Sequence, residues 1–141
     1  PMAPVPCHND LLPGNVLFED TPVAADTNPR VWLLDFEYAG MNDRFFDLGN
    51  LSVNCGFDVA ADHELLRLYF GESTPHRWAR LQLMKMMSEF REGMWAVVQQ
   101  AISNLDTDFV TYANERLGNC ERLAAQPEFE QWLGDAAVAN G

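Results

Sequence analysis

His8-Asn9-Asp10-Leu11-Leu12-Pro13-Gly14-Asn15-Val16-Leu17, HNDLLPGNVL, sets a histidine, an acid and an amide in a turn-rich segment that runs into apolar, strand-like residues. Pro13-Gly14 marks a turn, and the stretch from Asn15 to Glu19 reads as a short strand. A connector over 21–30, rich in Pro, Asp and Asn, leads to a second compact strand, Val31-Trp32-Leu33-Leu34, so the two strands read as a hairpin. The second strand ends in Asp35-Phe36-Glu37-Tyr38. Three oxygen-bearing side chains, Asp10, Asn15 and Asp35, therefore fall on two hairpin-related strands. Hard oxygen ligands that leave several positions open suit Mg²⁺ carrying a phosphorylated nucleotide. Phosphoryl transfer also needs an acceptor-orienting base beside the metal, because catalysis there is mostly positioning and electrostatics. Asp10 is expected to face the acceptor hydroxyl and Asn15 the metal. Each motif alone arises by chance, and an aspartate at a strand end can simply cap the next turn; their conjunction carries the reading.

From Asp43 onward the apolar spacing becomes helical. Phe46, Leu48, Leu51 and Val53 mark a short helix, and Leu65, Leu66, Leu68, Tyr69 and Phe70 the next. Thr74-Pro75 is an N-cap and first-turn pair opening a long periodic segment from Trp78 to Ala101. Gly93 is its weakest point, since glycine costs about 1 kcal/mol relative to alanine in a helix interior. Asp106 to Leu123 and Pro127 to Ala137 supply two further helices. The fold class is mainly α with a small β-hairpin, as one domain over 1–141. A chain of this length buries about 68–70% of its unfolded surface, enough for one sizeable core.

The formal charge of −12 would repel nucleic acid and anionic lipid while drawing in cations. Cys7, Cys55 and Cys120 form no C-x-x-C pair and suggest neither a disulfide framework nor a zinc site, which fits a reducing cytoplasm. No apolar run reaches the roughly 20 residues of a membrane span. His63 and His76 have no partners at metal-ligand spacing and are expected on the surface.

HNDLLPGNVL, LLDFEYAGMNDRFFDLGN and GMWAVVQQAIS resemble the choline/ethanolamine kinase family, within the aminoglycoside-phosphotransferase-like kinases. The resemblance runs from about Cys7 to about Leu123 and covers only the C-terminal lobe of a protein-kinase-like fold. It implies Asp10 as catalytic base with His8 bracing its loop, Asn15 and Asp35 as Mg²⁺ ligands, and ATP as co-substrate. Glu37 is then an acid near the substrate ammonium, and Asp47, in FDLGN, the acid that holds the catalytic-loop backbone. Trp95 and Tyr112 fall where the family places an aromatic box for a cationic amino alcohol, choline or ethanolamine. By spacing alone they read more often as plain helix core. Glu92 stands where choline kinases tend to carry another Trp; on a helix it shares a face with Trp95. A carboxylate there could take a hydrogen bond from an ammonium N–H, which choline lacks; a helical glutamate also commonly points to solvent.

A kinase of this type further needs a lobe with a glycine loop and a strand lysine on the nucleotide phosphates. The only lysine here is Lys85, within the long helix, and no two glycines stand two residues apart. The N-terminal nucleotide-binding lobe is therefore expected to be missing, and the chain to be inactive alone. Two rivals remain: an aminoglycoside or other small-molecule kinase, which shares Asp10, Asn15 and Asp35 but not the aromatic box, and a non-catalytic lobe that binds cations or partners. The acceptor and the oligomeric state are not legible.

Overall fold

The computed structural model describes residues 3–19 and 30–137. Four short strands precede five helices: β1 (Val5–Cys7), β2 (Val16–Glu19), β3 (Arg30–Leu33), β4 (Gly40–Asn42), α1 (Arg44–Cys55), α2 (Val59–Phe70), α3 (Pro75–Ile102), α4 (Phe109–Ala124) and α5 (Phe129–Ala137). Single 3₁₀ turns occupy Pro13–Asn15 and Phe36–Tyr38. The strands β2 and β3 pair antiparallel, with Val16 opposite Leu33 and Glu19 opposite Arg30. The connector expected over 21–30 lies outside the described residues apart from Arg30, which opens β3. A second antiparallel pair, β1 with β4, was not expected; it sets Cys7 opposite Gly40.

The helices start where the capping chemistry dictates. Asp43 accepts from the Phe45 amide, Asp58 from Ala61 and Thr74 from Arg77, each satisfying a donor that the first helical turn leaves free. The last long helix opens at Phe109, three residues later than expected, because Asp108 is its N-cap and accepts from Thr111. Gly56 ends α1 in the left-handed region at φ 65°, where a β-carbon is penalised.

α3 is the central post, and α1, α4 and α5 pack on it. Phe45, Leu48, Leu66 and Leu81 form the main core, flanked by Leu65, Phe70, Trp78 and Met84. Each such buried side chain contributes about 1.5–3 kcal/mol. The rings of Phe45 and Phe70 stack at 5.0 Å. Two glycines set the interhelical distances. A β-carbon at Gly49 would lie 2.7 Å from the Met84 carbonyl carbon and the Lys85 amide nitrogen, so α1 touches the α3 backbone there. One at Gly93 would lie 2.7 Å from the Leu117 side chain, so the glycine gives α4 room at the position expected to be the weakest of α3, which runs through it unbroken.

Lys85 is spent on structure. Its ammonium meets Asp62, 1% exposed, at 2.5 Å, and the same carboxylate accepts from Ser52 at 2.5 Å. The pair joins α1, α2 and α3, with the hydrogen bonds a buried ion pair needs. The two surface histidines are engaged: exposed His63 stacks on Trp78 at 4.1 Å and bonds Ser73, while half-buried His76 bonds the Asp135 carbonyl. Among the described residues no helix is long and apolar enough to cross a membrane.

Candidate active site

The loop leaving β1 is built by one carboxylate. Asp47, in the first turn of α1, accepts from the backbone amides of His8 and Asn9, each at 2.7 Å. Asn9 sits in the left-handed region at φ 64°, a conformation asparagine tolerates better than most residues. Its side chain bonds the Tyr38 carbonyl at 3.0 Å and accepts from Asn42 at 2.8 Å. The buried imidazole of His8 lies 2.8 Å from the Leu34 carbonyl and 4.6 Å from the Phe36 ring. A carbonyl only accepts, so Nε2 carries the proton and Nδ1 is left buried without a partner.

This bracing sets Asp10 over the start of β2. The Asn15 amide donates to the Asp10 carbonyl at 3.0 Å and to its carboxylate at 3.4 Å. The Asn15 carbonyl in turn accepts from the Leu34 amide at 2.9 Å, so the residue before Asp35 is tied directly to Asn15. Asp35 itself is exposed, at φ 63°, with no side-chain capping bond.

Asp10, Glu37, Glu92, Trp95 and Tyr112 line one cavity of about 210 Å³, together with Leu12, Tyr38 and Arg91. His8 and Asp47 line a separate cavity of about 480 Å³, with Leu33 and Phe36. Asn15 and Asp35 line neither of these two. Glu92 does not point to solvent: it is 7% exposed, and its oxygens accept from Arg91 at 2.9 Å and from the Tyr112 hydroxyl at 3.1 Å. Burial raises the Tyr112 pKa above its ordinary value and the Glu92 carboxylate adds to the rise, against the opposing pull of Arg116, so the phenol remains a donor. Trp95 meets Tyr112 edge-on at 6.4 Å and Phe109 at 5.7 Å, forming an aromatic corner.

Leu12, Tyr38 and Arg91 are the lining residues that sequence reasoning passed over. Arg91 donates to Asp10 at 3.2 Å, and its guanidinium lies 5.0 Å over the Tyr38 ring. The signal was present: Arg91 stands four residues before Trp95, hence on its face of the helix, and Tyr38 follows Glu37 directly.

The sequence profile of the phosphotransferase enzyme family (APH) matches residues 1–82. Protein LicA of Haemophilus influenzae is 27% identical over 122 residues, spanning 84% of this chain and 43% of that protein. Human ethanolamine kinase 2 is 31% identical over 139 residues, spanning 85% of this chain and 34% of that protein. The crystal structure of a choline/ethanolamine kinase family protein from Mesorhizobium loti superposes with a TM-score of 0.85 at 37% identity, over 99% of this chain and 45% of that one. An ethanolamine kinase from Plasmodium vivax shares the fold at a TM-score of 0.67 and 20% identity. The chain thus spans between about a third and just under half of its relatives' lengths. The fold class is the one expected, mainly helical and superposing on a choline/ethanolamine kinase family protein, with two small antiparallel pairs where one hairpin was anticipated. By the profile that covers its first 82 residues, the chain belongs to the phosphotransferase enzyme family.

Proposed function

We propose that this chain is the acceptor-binding and catalytic-loop lobe of an ATP-dependent kinase that phosphorylates the hydroxyl of a small amino alcohol. One observation carries the reading: a single cavity joins the Asp10 carboxylate to the acidic and aromatic corner of Glu92, Trp95 and Tyr112. Its size suits an acceptor of a few heavy atoms rather than a polyamino sugar.

In this reading Asp10 takes the proton from the acceptor hydroxyl. Its carboxylate is held on one side by Asn15 and, before the acceptor enters, on the other by Arg91, and its backbone by the Asp47 clamp on His8 and Asn9. Glu37 and Glu92 supply negative charge toward the ammonium, and Trp95 and Tyr112 its π-faces, worth about 0.5–2 kcal/mol per contact. A primary ammonium can add charge-assisted bonds to Glu92, which a trimethylammonium cannot, so an ethanolamine-like acceptor is favoured over choline.

Asn15 and Asp35 fit a nucleotide-bound Mg²⁺. Because the Asn15 nitrogen donates to Asp10, its amide oxygen remains as a ligand, and the exposed Asp35 carboxylate stands one residue beyond the Leu34–Asn15 bond. Among the described residues no three His, Cys, Asp or Glu side chains converge as a metal cage. That agrees with Mg²⁺, which takes one or two protein ligands and completes its shell with phosphates and water. Bound there, the metal would neutralise charge on the transferred phosphoryl group.

The nucleotide-binding lobe would cover the apolar surface of β2 and β3. Phe18 and Val31, opposite each other on one face of the pair, are more than half exposed, as are Trp32 on the other face and Phe36 beyond it. The 141 residues alone should then give no phosphorylated product. The test of the base is Asp10→Asn in the protein carrying both lobes: kcat should fall about 10²–10⁴-fold with an unchanged melting curve. Near-parental kcat would refute the assignment.

A further inference from the structure

The acceptor cavity already contains a cation. Among its lining residues only Arg91 is positively charged, and it is held by the partners a substrate ammonium would seek. One guanidinium nitrogen donates to Asp10 at 3.2 Å and to Glu92 at 2.9 Å, and the guanidinium carbon sits 5.0 Å from the centre of the Tyr38 ring. Resting on the amino-alcohol reading above, we infer that Arg91 is a built-in competitor that sets the affinity for the acceptor. Its guanidinium is the resident cation of the acceptor pocket, and the acceptor ammonium enters by exchange with it.

Three features of the geometry require an exchange rather than co-occupancy. First, two positive charges within a cavity of about 210 Å³ repel at close range, where the low local dielectric screens them poorly. Second, Arg91 rests on one oxygen of Asp10 while Asn15 reaches the other, so the carboxylate is engaged on both sides until Arg91 withdraws. Third, withdrawal is feasible. The Arg91 side chain is 27% exposed, and among the described residues its other guanidinium nitrogens make no hydrogen bond.

The exchange has a cost that every acceptor shares. When the guanidinium leaves, Asp10 and Glu92 each lose a charge-assisted hydrogen bond, and leaving such groups unpaired is costly. The acceptor hydroxyl, common to ethanolamine and choline, meets Asp10, and an ammonium with N–H groups returns the bond of Glu92. A trimethylammonium returns only charge and methyl surface. Each methyl added to the acceptor nitrogen should therefore weaken binding through Glu92, while Arg91 lowers the affinity of all acceptors alike.

The test is calorimetric titration of the protein with ethanolamine, its N-methyl and N,N-dimethyl derivatives, choline and L-serine. It is repeated on Arg91→Met and Arg91→Lys, with circular dichroism confirming the fold. In the parent, Kd should rise about tenfold from ethanolamine to choline. Arg91→Met, which leaves no competitor to displace, should tighten ethanolamine and choline alike, each about tenfold, with their ratio kept; Arg91→Lys should restore the penalty. In the unmutated protein, saturating ethanolamine should shift the NMR cross-peak of the Arg91 side-chain Nε–H. Affinities for both amines that stay within twofold of the parent's in Arg91→Met overturn the inference while leaving the amino-alcohol reading intact. So does an Arg91 cross-peak unmoved at saturation, or L-serine binding tightest in an Arg91-dependent manner, since the guanidinium would then stay to read an anion. No binding of any amine to parent or variants overturns the amino-alcohol reading itself.

Discussion

Asp47 offers the sharpest stability test, because one side chain holds two backbone donors. Both oxygens accept at 2.7 Å, from His8 and Asn9, at the point where the chain turns to present Asp10. Charge-assisted bonds of this kind are worth about 1.5–3 kcal/mol each. Asp47→Ala removes both, so about 3–6 kcal/mol should be lost from a domain whose total is typically about 5–15 kcal/mol. Asp47→Asn keeps one amide oxygen and turns its NH₂ toward the other donor, so about half that loss is expected. Urea unfolding monitored by circular dichroism gives the global change, with an unchanged slope showing that the unfolded state is the same. Amide hydrogen exchange gives the local one: the His8 and Asn9 amides should lose protection before the core of α1 and α3 does. Asp47→Ala with stability within about 0.5 kcal/mol of the parent, and with both amides still protected, would refute the clamp.

The two close-packed glycines should separate. Gly49→Ala drives a β-carbon into α3 backbone, which cannot move aside, and should destabilise by about 1–3 kcal/mol. Gly93→Ala meets the Leu117 side chain at 2.7 Å and its backbone nitrogen only at 3.3 Å, and gains about 1 kcal/mol of helix propensity, so its loss should be smaller and should shrink further when measured in a Leu117→Ala background; equal losses would contradict the packing argument. Cys7 should make stability fall in alkali: burial first, and then the Asp47 carboxylate, push its thiol from the ordinary 9.0 up to about 11. The folded state therefore favours the neutral thiol, a contribution fully present below about pH 9 and lost as pH rises toward 11. Thermal melts of the parent and of Cys7→Ala across that range should converge, and parallel curves would refute it.

How much of this was legible in the sequence depended on the length of the signal. The helices were, because apolar spacing repeats over several turns and Thr74-Pro75 carries its own capping chemistry. The pairing of β1 with β4 was not, since three-residue strands hold no periodicity and their partners lie more than thirty residues apart. HNDLLPGN and LDFEY placed Asp10 beside Asn15 and brought Leu34 to it, because a hairpin fixes its own register. Arg91 stayed hidden because one arginine on a long helix looks like any solvated face. Only the packing of α3 against the Asp10 loop turns it inward. The fate of Glu92, open on paper between pocket and solvent, was settled by Tyr112 arriving from another helix.

The central claim is that the cavity beside Asp10 receives an amino alcohol for phosphorylation. Phosphorus NMR tests it most directly, on the protein carrying both lobes, with ATP, Mg²⁺ and an equimolar mixture of ethanolamine, choline and a polyamino sugar. The account predicts phosphoethanolamine as the main product, phosphocholine as the lesser one, and neither with Asp10→Asn. Phosphorylation of the sugar while both amino alcohols remain untouched would contradict it.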